Sequence, residues 1–134
     1  MLKYQLGGYY LNKSQRVQLS LKEQPSIEEL FNYLNILEKN NGILVLSNNQ
    51  EESLKPYDMT LYSDDKRYLI LLASMLDDGD IDVRTFNDRS GSQKFISMLG
   101  EPYAAVSITQ DFTLVSKAFE QFYETGDVER ELLN

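Results

Sequence analysis

The side chains available for chemistry in this chain are carboxylates, tyrosines, lysines and arginines; histidine and cysteine are both absent. Without them there is no Ser–His or Cys–His nucleophile pair, no ordinary zinc site and no CxxC redox motif. The glycines do not make a phosphate loop, because Gly7-Gly8 is followed by Tyr9-Tyr10 rather than by a Gly-Lys-Ser or Gly-Lys-Thr end. No Gly-x-Ser-x-Gly elbow is present. Carboxylates alone can run acid–base chemistry, as in glycosidases, but such sites sit in deep clefts on larger scaffolds. The expectation is a protein that is not an enzyme and carries no cofactor.

The densest run of carboxylates is Asp77-Asp78-Gly79-Asp80-Ile81-Asp82. It does not fit a calcium loop. With Asp78 at the first position, the sixth is Val83 rather than glycine and the twelfth is Arg89 rather than glutamate. A hairpin turn at Asp77-Asp78-Gly79 leading into a strand is the simpler reading, and no metal is expected. Alternation then puts Asp80, Asp82, Arg84 and Phe86 on one face of that strand and Ile81, Val83 and Thr85 on the other. The first set makes an acidic stripe ending in an aromatic, on which a basic partner could dock. Glu120 and Glu124 form a second acidic feature, near the end of a helix whose dipole they oppose. There are nine tyrosines, the residue type favoured in interface hot spots. Tyr9, Tyr10, Tyr57, Tyr62 and Tyr103 are the ones expected on wet faces. The partner-binding candidates are therefore Asp77, Asp78, Asp80, Asp82, Arg84, Phe86, Tyr62, Tyr103, Glu120 and Glu124.

A formal net charge of −8 repels nucleic acid and anionic membrane surfaces and attracts basic proteins, while also favouring solubility. The negative field comes from the middle and the C-terminal part, because residues 1–22 hold Lys3, Lys13, Arg16 and Lys22 and no acid. No apolar run approaches the ~20 residues of a membrane helix, and the N-terminus lacks the layout of a signal peptide. A cytoplasmic protein is expected.

These groups are positioned by elements of both kinds. Residues 2–10 and 16–22 alternate as two strands of a hairpin, with Gly7-Gly8 marking a bulge. Ser26 with Glu29 is a capping box, and Ile27, Leu30, Phe31, Leu34 and Leu37 follow at helical spacing. Asn40-Asn41-Gly42 tolerates a left-handed cap at the end of that helix. Ile43–Leu46 is apolar on both faces and predicts an interior strand. Tyr57–Tyr62 turns Met59 and Leu61 inward and Asp58, Thr60 and Tyr62 outward. Residues 67–75 predict a central strand after a turn at Asp64-Asp65. Residues 95–99 fit a strand or a short helix, Gly100-Glu101-Pro102 breaks them, and residues 103–108 predict a strand with Ala104, Val106 and Ile108 inward. Asp111 caps a second helix bearing Phe112, Val115, Ala118, Phe119 and Phe122, and Gly126 stops it. A tail follows whose Val128, Leu132 and Leu133 can dock on the body. The expectation is one domain over residues 1–134, of α+β class: a mostly antiparallel sheet with two main helices packed on one face.

The order of these segments carries a resemblance. A Gly-Gly-Tyr hairpin precedes Gln24-Pro25-Ser26-Ile27-Glu28-Glu29-Leu30 and Gly42-Ile43-Leu44-Val45-Leu46. Lys66-Arg67-Tyr68-Leu69-Ile70-Leu71-Leu72 comes next, and Phe119-Glu120-Gln121-Phe122-Tyr123-Glu124-Thr125-Gly126-Asp127 closes the second helix. The chain resembles the small immunity proteins of bacterial polymorphic-toxin and contact-dependent growth inhibition systems, most closely the first-numbered immunity family. That family places a tryptophan shortly after the glycine; this chain has none. The resemblance implies a cytoplasmic protein that binds and neutralises a cognate toxin domain, often a basic nuclease, with no catalytic residues of its own. A binding module for some other protein, a carboxylate-based enzyme and a metal binder are the alternatives that the residues leave open.

Overall fold

The computed structural model describes residues 2–50, 54–88 and 93–134. In chain order the elements are β1 (Tyr4–Asn12), β2 (Gln15–Glu23), α1 (Ile27–Lys39), β3 (Gly42–Asn48), β4 (Pro56–Asp64), β5 (Arg67–Met75), β6 (Ile81–Arg84), β7 (Phe95–Met98), β8 (Glu101–Ala104), β9 (Ile108–Thr109) and α2 (Phe112–Thr125). A 3-10 turn over Ala105–Ser107 separates β8 from β9. The fold is α+β. One antiparallel sheet runs β2-β1-β3-β4-β5-β6, with β9 also pairing β5, and β7–β8 is a separate hairpin.

Register explains which face is sealed. Leu6, Leu46, Met59 and Leu72 stand in one row across β1, β3, β4 and β5, and Leu44, Leu61 and Ile70 stand in the next. All seven are fully buried, in one cluster with Leu30, Leu34 and Leu37 of α1 and Val115, Ala118, Phe119 and Phe122 of α2. Fully burying one such side chain stabilises the fold by roughly 1.5–3 kcal/mol, so these rows dominate the packing. Both helices thus cover the same face of the sheet, as their single apolar stripes require.

Local signals set the boundaries. At the start of α1 the Ser26 hydroxyl accepts from Glu29 N at 3.1 Å, and the Glu29 carboxylate accepts from Ser26 N at 2.9 Å. α2 begins at Asp111, whose side chain accepts from Thr113 N, and ends at Gly126 with φ 79°. The end of α1 differs from expectation. Asn40 is extended, and its side-chain amide donates to Ile36 O at 2.9 Å, so a side chain satisfies the carbonyl that a left-handed cap would have served. Gly42 serves a close approach instead, because a Cβ there would lie 2.2 Å from Tyr9 O across the β1–β3 ladder. Gly8 meets Ile43 O in the same way, at 2.1 Å, beside the bulge between Leu6 and Gly8.

Four tyrosine hydroxyls tie elements together. Tyr4 donates to Phe122 O at 2.6 Å, Tyr33 to Ser20 O at 2.6 Å, Tyr68 to Glu38 O at 2.9 Å and Tyr123 to Pro25 O at 2.7 Å. Each joins a helix to a strand, to the other end of the helical layer or to the segment entering it.

Two expectations are corrected here. Residues 103–108 are not one strand; they divide into the end of β8, the 3-10 turn and the start of β9, and Ala104, Val106 and Ile108 are only half-buried. On β6 the alternation holds but the faces are exchanged. Arg84 pairs with Leu72, a core residue, and paired residues share a face, so Arg84 and Phe86 point into the core side at 4% and 6% exposure. Ile81 and Val83 are the exposed ones, at 55% and 49%. The buried guanidinium is satisfied by the C-terminal tail. Nε donates to Leu133 O at 3.1 Å, Nη1 pairs with Asp127 Oδ1 at 2.9 Å and Nη2 donates to Val128 O. Val128 and Leu133 are buried beneath that clamp.

Candidate functional site

The sheet has a second face, and among the described residues no helix packs on it. Three rows cross it. The first runs Gln5, Ser47, Asp58, Ala73, Val83; the second runs Gly7, Val45, Thr60, Leu71; the third runs Tyr9, Ile43, Tyr62, Leu69, Ile108. Strands about 4.8 Å apart and same-face residues about 6.7 Å apart make β1, β3, β4 and β5 a floor some 15–20 Å on a side. The β7–β8 hairpin folds over one end. Tyr103 packs against Tyr62 with ring centroids 5.8 Å apart and planes tilted by 37°, and Leu99 N donates to Asp64 Oδ2 at 2.8 Å. Leu69 and Met98 are buried at that end without joining the main core cluster. The other end stays open: Val45, Asp58, Thr60, Leu71 and Ala73 are half-exposed, and Phe95 on the hairpin is 73% exposed.

Polar groups on this floor are few. Asp58 accepts a hydrogen bond from Thr60 Oγ1 at 2.9 Å, and no lysine or arginine pairs with it among the described residues. Burial holds its carboxyl above the ordinary carboxylate range, with the Thr60 hydroxyl opposing that rise. Burial also raises the Tyr62 hydroxyl, helped by the neighbouring Tyr103 and, more weakly, by Asp58 and Tyr9. At the edge of the face the Arg16 guanidinium lies 3.8 Å from the Tyr9 ring centroid.

The predicted contact residues do not form one patch. Tyr62 and Tyr103 meet on the open face. Asp77, Asp78 and Asp80 are exposed on the β5–β6 turn, where Asp78 Oδ1 accepts from Asp80 N at 3.0 Å, and Asp82 is half-buried on β6. Glu120 and Glu124 are exposed on α2, on the opposite side of the sheet. Arg84 and Phe86 are withdrawn as contacts because they lie in the core. Of the five candidate tyrosines, Tyr10 packs against the core, while Tyr9, Tyr57, Tyr62 and Tyr103 remain half-exposed. Asp58 and Thr60, whose outward alternation beside Tyr62 is visible in the sequence, join the candidate residues of this face.

Among the described residues of the open face no hydrogen bond joins a nucleophile to a base apart from that of the Thr60 hydroxyl to the Asp58 carboxylate. Ser63-Asp64-Asp65-Lys66 has the spacing of a Ser-x-x-Lys pair, but Ser63 is buried and its hydroxyl donates to Leu37 O at 2.6 Å. No group of three His, Cys, Asp or Glu residues among those described converges to hold a metal ion. Among the described residues no helix is long and apolar enough to cross a membrane.

A solved crystal structure of a hypothetical protein from Neisseria gonorrhoeae is similar, with a TM-score of 0.82 and 24% sequence identity over 96% of this chain and 91% of that one. That likeness is one of fold. No curated protein matches the chain. A model of a family of unknown function, DUF6911, matches residues 3–132, and the chain belongs to that family.

Proposed function

We propose that this protein works in the bacterial cytoplasm as an immunity-type inhibitor, binding a cognate toxin domain of basic character through its open sheet face and performing no chemistry itself. The observation that carries this reading is the contrast between the two faces of one sheet. One is sealed by both helices; the other is a half-buried floor of apolar and small polar residues bearing the Tyr62–Tyr103 pair and the carboxylate of Asp58. Hot spots have that composition: aromatic anchors, little charge at the centre and a polar rim. A standard interface takes about 800 Å² from each partner, about a tenth of the 7998 Å² accessible surface here. The net charge of −8 supplies the steering, since it accelerates encounter with a basic domain and disfavours acidic ones. A nuclease that grips a phosphate backbone is basic for its own reasons.

The test is co-expression with the C-terminal domain of the large reading frame immediately upstream. Cell survival with co-elution of the two chains supports the reading. Cell death, with the chains eluting separately, removes the toxin and leaves a binding module for another protein.

A further inference from the structure

We propose that Asp58 is the anchor of a receptor for one arginine or lysine side chain of the partner, with the Tyr62–Tyr103 pair as its aromatic wall. The inference rests on the binding reading above and adds to it a position and a chemistry.

The position is an unfavourable one for an aspartate. β4 is an interior strand, where aspartate is a poor residue, and the two residues directly across from Asp58, Ser47 and Ala73, are small and uncharged. A carboxylate there costs stability in the isolated protein, and such local conflicts concentrate at functional positions. Several carboxylates elsewhere in the chain have internal uses. Asp64 accepts from Asn41 and from Leu99 N, Asp111 caps α2, Asp127 pairs with Arg84, and Glu29 closes the capping box of α1. Among the described residues Asp58 has Thr60 alone. One hydroxyl leaves most of the lone pairs of the carboxylate unused and fixes its orientation.

The shape suits a long cationic side chain. Directly across the strands Asp58 faces Ser47 on one side and Ala73 on the other. Two small residues therefore flank the carboxylate across the strands. Tyr62 lies four residues along the same strand and on the same face, about 13 Å away by strand rise. A basic residue entering between them meets a carboxylate at its head and aromatic rings along its stem, the combination that favours arginine over lysine. The protein already makes this kind of contact once, with its own Arg16 on Tyr9.

The experiment measures the affinity of the purified C-terminal domain of the upstream reading frame for the wild type, Asp58→Asn and Asp58→Glu, at low and moderate salt. Asp58→Asn keeps the acceptor for Thr60 and removes a poorly solvated charge, so it folds. The expected result is a loss of at least tenfold for Asp58→Asn, a shallower salt dependence, and partial recovery with Asp58→Glu. Wild-type affinity and an unchanged salt slope in Asp58→Asn would overturn the receptor while leaving the binding reading intact. Failure of the wild type itself to bind would overturn both.

Discussion

Replacing Arg84 by alanine should strip the C-terminal tail from the body. The guanidinium is 4% exposed and reaches Leu133 O, Val128 O and Asp127 Oδ1, from two ends of one eight-residue segment. Its loss leaves two tail carbonyls without their donor, and an unmade hydrogen bond at a buried group costs about 1–3 kcal/mol. If the tail then frays, Val128 and Leu133 return to water at about 1.5–3 kcal/mol each. The less costly route decides the outcome, so the expected loss is about 3–5 kcal/mol, the range for removing one member of a buried charged network. For a domain of this size that lowers Tm by about 10–20 °C. Asp127 makes a useful contrast. Its side chain is 54% exposed, so solvent screens the pair and Asp127→Ala should cost only about 1 kcal/mol. Urea unfolding followed by circular dichroism measures both. An Arg84→Ala variant within about 1 kcal/mol of wild type would refute the clamp and return Arg84 to the solvent-facing role that its alternation with Asp80 and Asp82 suggests.

Three further outcomes follow from the same geometry. Ser26→Ala removes the acceptor for Glu29 N and should cost about 1 kcal/mol by the same unfolding assay. Gly42→Ala places a Cβ 2.2 Å from Tyr9 O, so β1 and β3 must separate; the variant should lose well over about 1 kcal/mol and be recovered mainly in the insoluble fraction. Asp58→Asn should be more stable than wild type at neutral pH. Burial raises the folded-state carboxyl above its unfolded value, so the wild type loses stability as pH climbs through the window between the two values. The advantage of the variant should therefore vanish below the unfolded carboxylate range, and a constant difference from pH 3 to pH 8 would count against it.

Much of the fold is legible in the sequence, and for physical reasons. The capping box at Ser26 and Glu29, the alternation of Met59 and Leu61 with Asp58, Thr60 and Tyr62, and the stop at Gly126 are local signals, and each acts through its own neighbours. The failures are of another kind. Alternation on β6 divides the residues into two sets but cannot say which set is wet; only the pairing of Arg84 with Leu72 decides that, and the partners that satisfy Arg84 lie more than forty residues away. The end of α1 was closed by the side chain of Asn40 where backbone propensity pointed to a left-handed cap. Tight turns at Lys13-Ser14 and Asp65-Lys66 adopt positive φ at both residues without a glycine, so their hairpins are held by strand pairing more than by turn chemistry. The open face is composed of residues from four strands, and no single segment advertises it. Alternation marks Tyr62 and Tyr103 as tyrosines of wet faces, yet their contact across forty-one positions arises only when the β7–β8 hairpin folds back.

The most direct test of the account is a binding titration of the C-terminal domain of the upstream reading frame, the proposed toxin, against two surface variants of this protein. Thr60→Arg places a long cation in the middle of the open face without disturbing the sealed one, while Glu120→Gln combined with Glu124→Gln neutralises the acids of α2 on the far side. The account predicts that Thr60→Arg abolishes binding and that the α2 variant stays within about threefold of wild type, the change expected from altered steering alone. Retained binding by Thr60→Arg, with loss in the α2 variant, would contradict it and move the interface to the helical side.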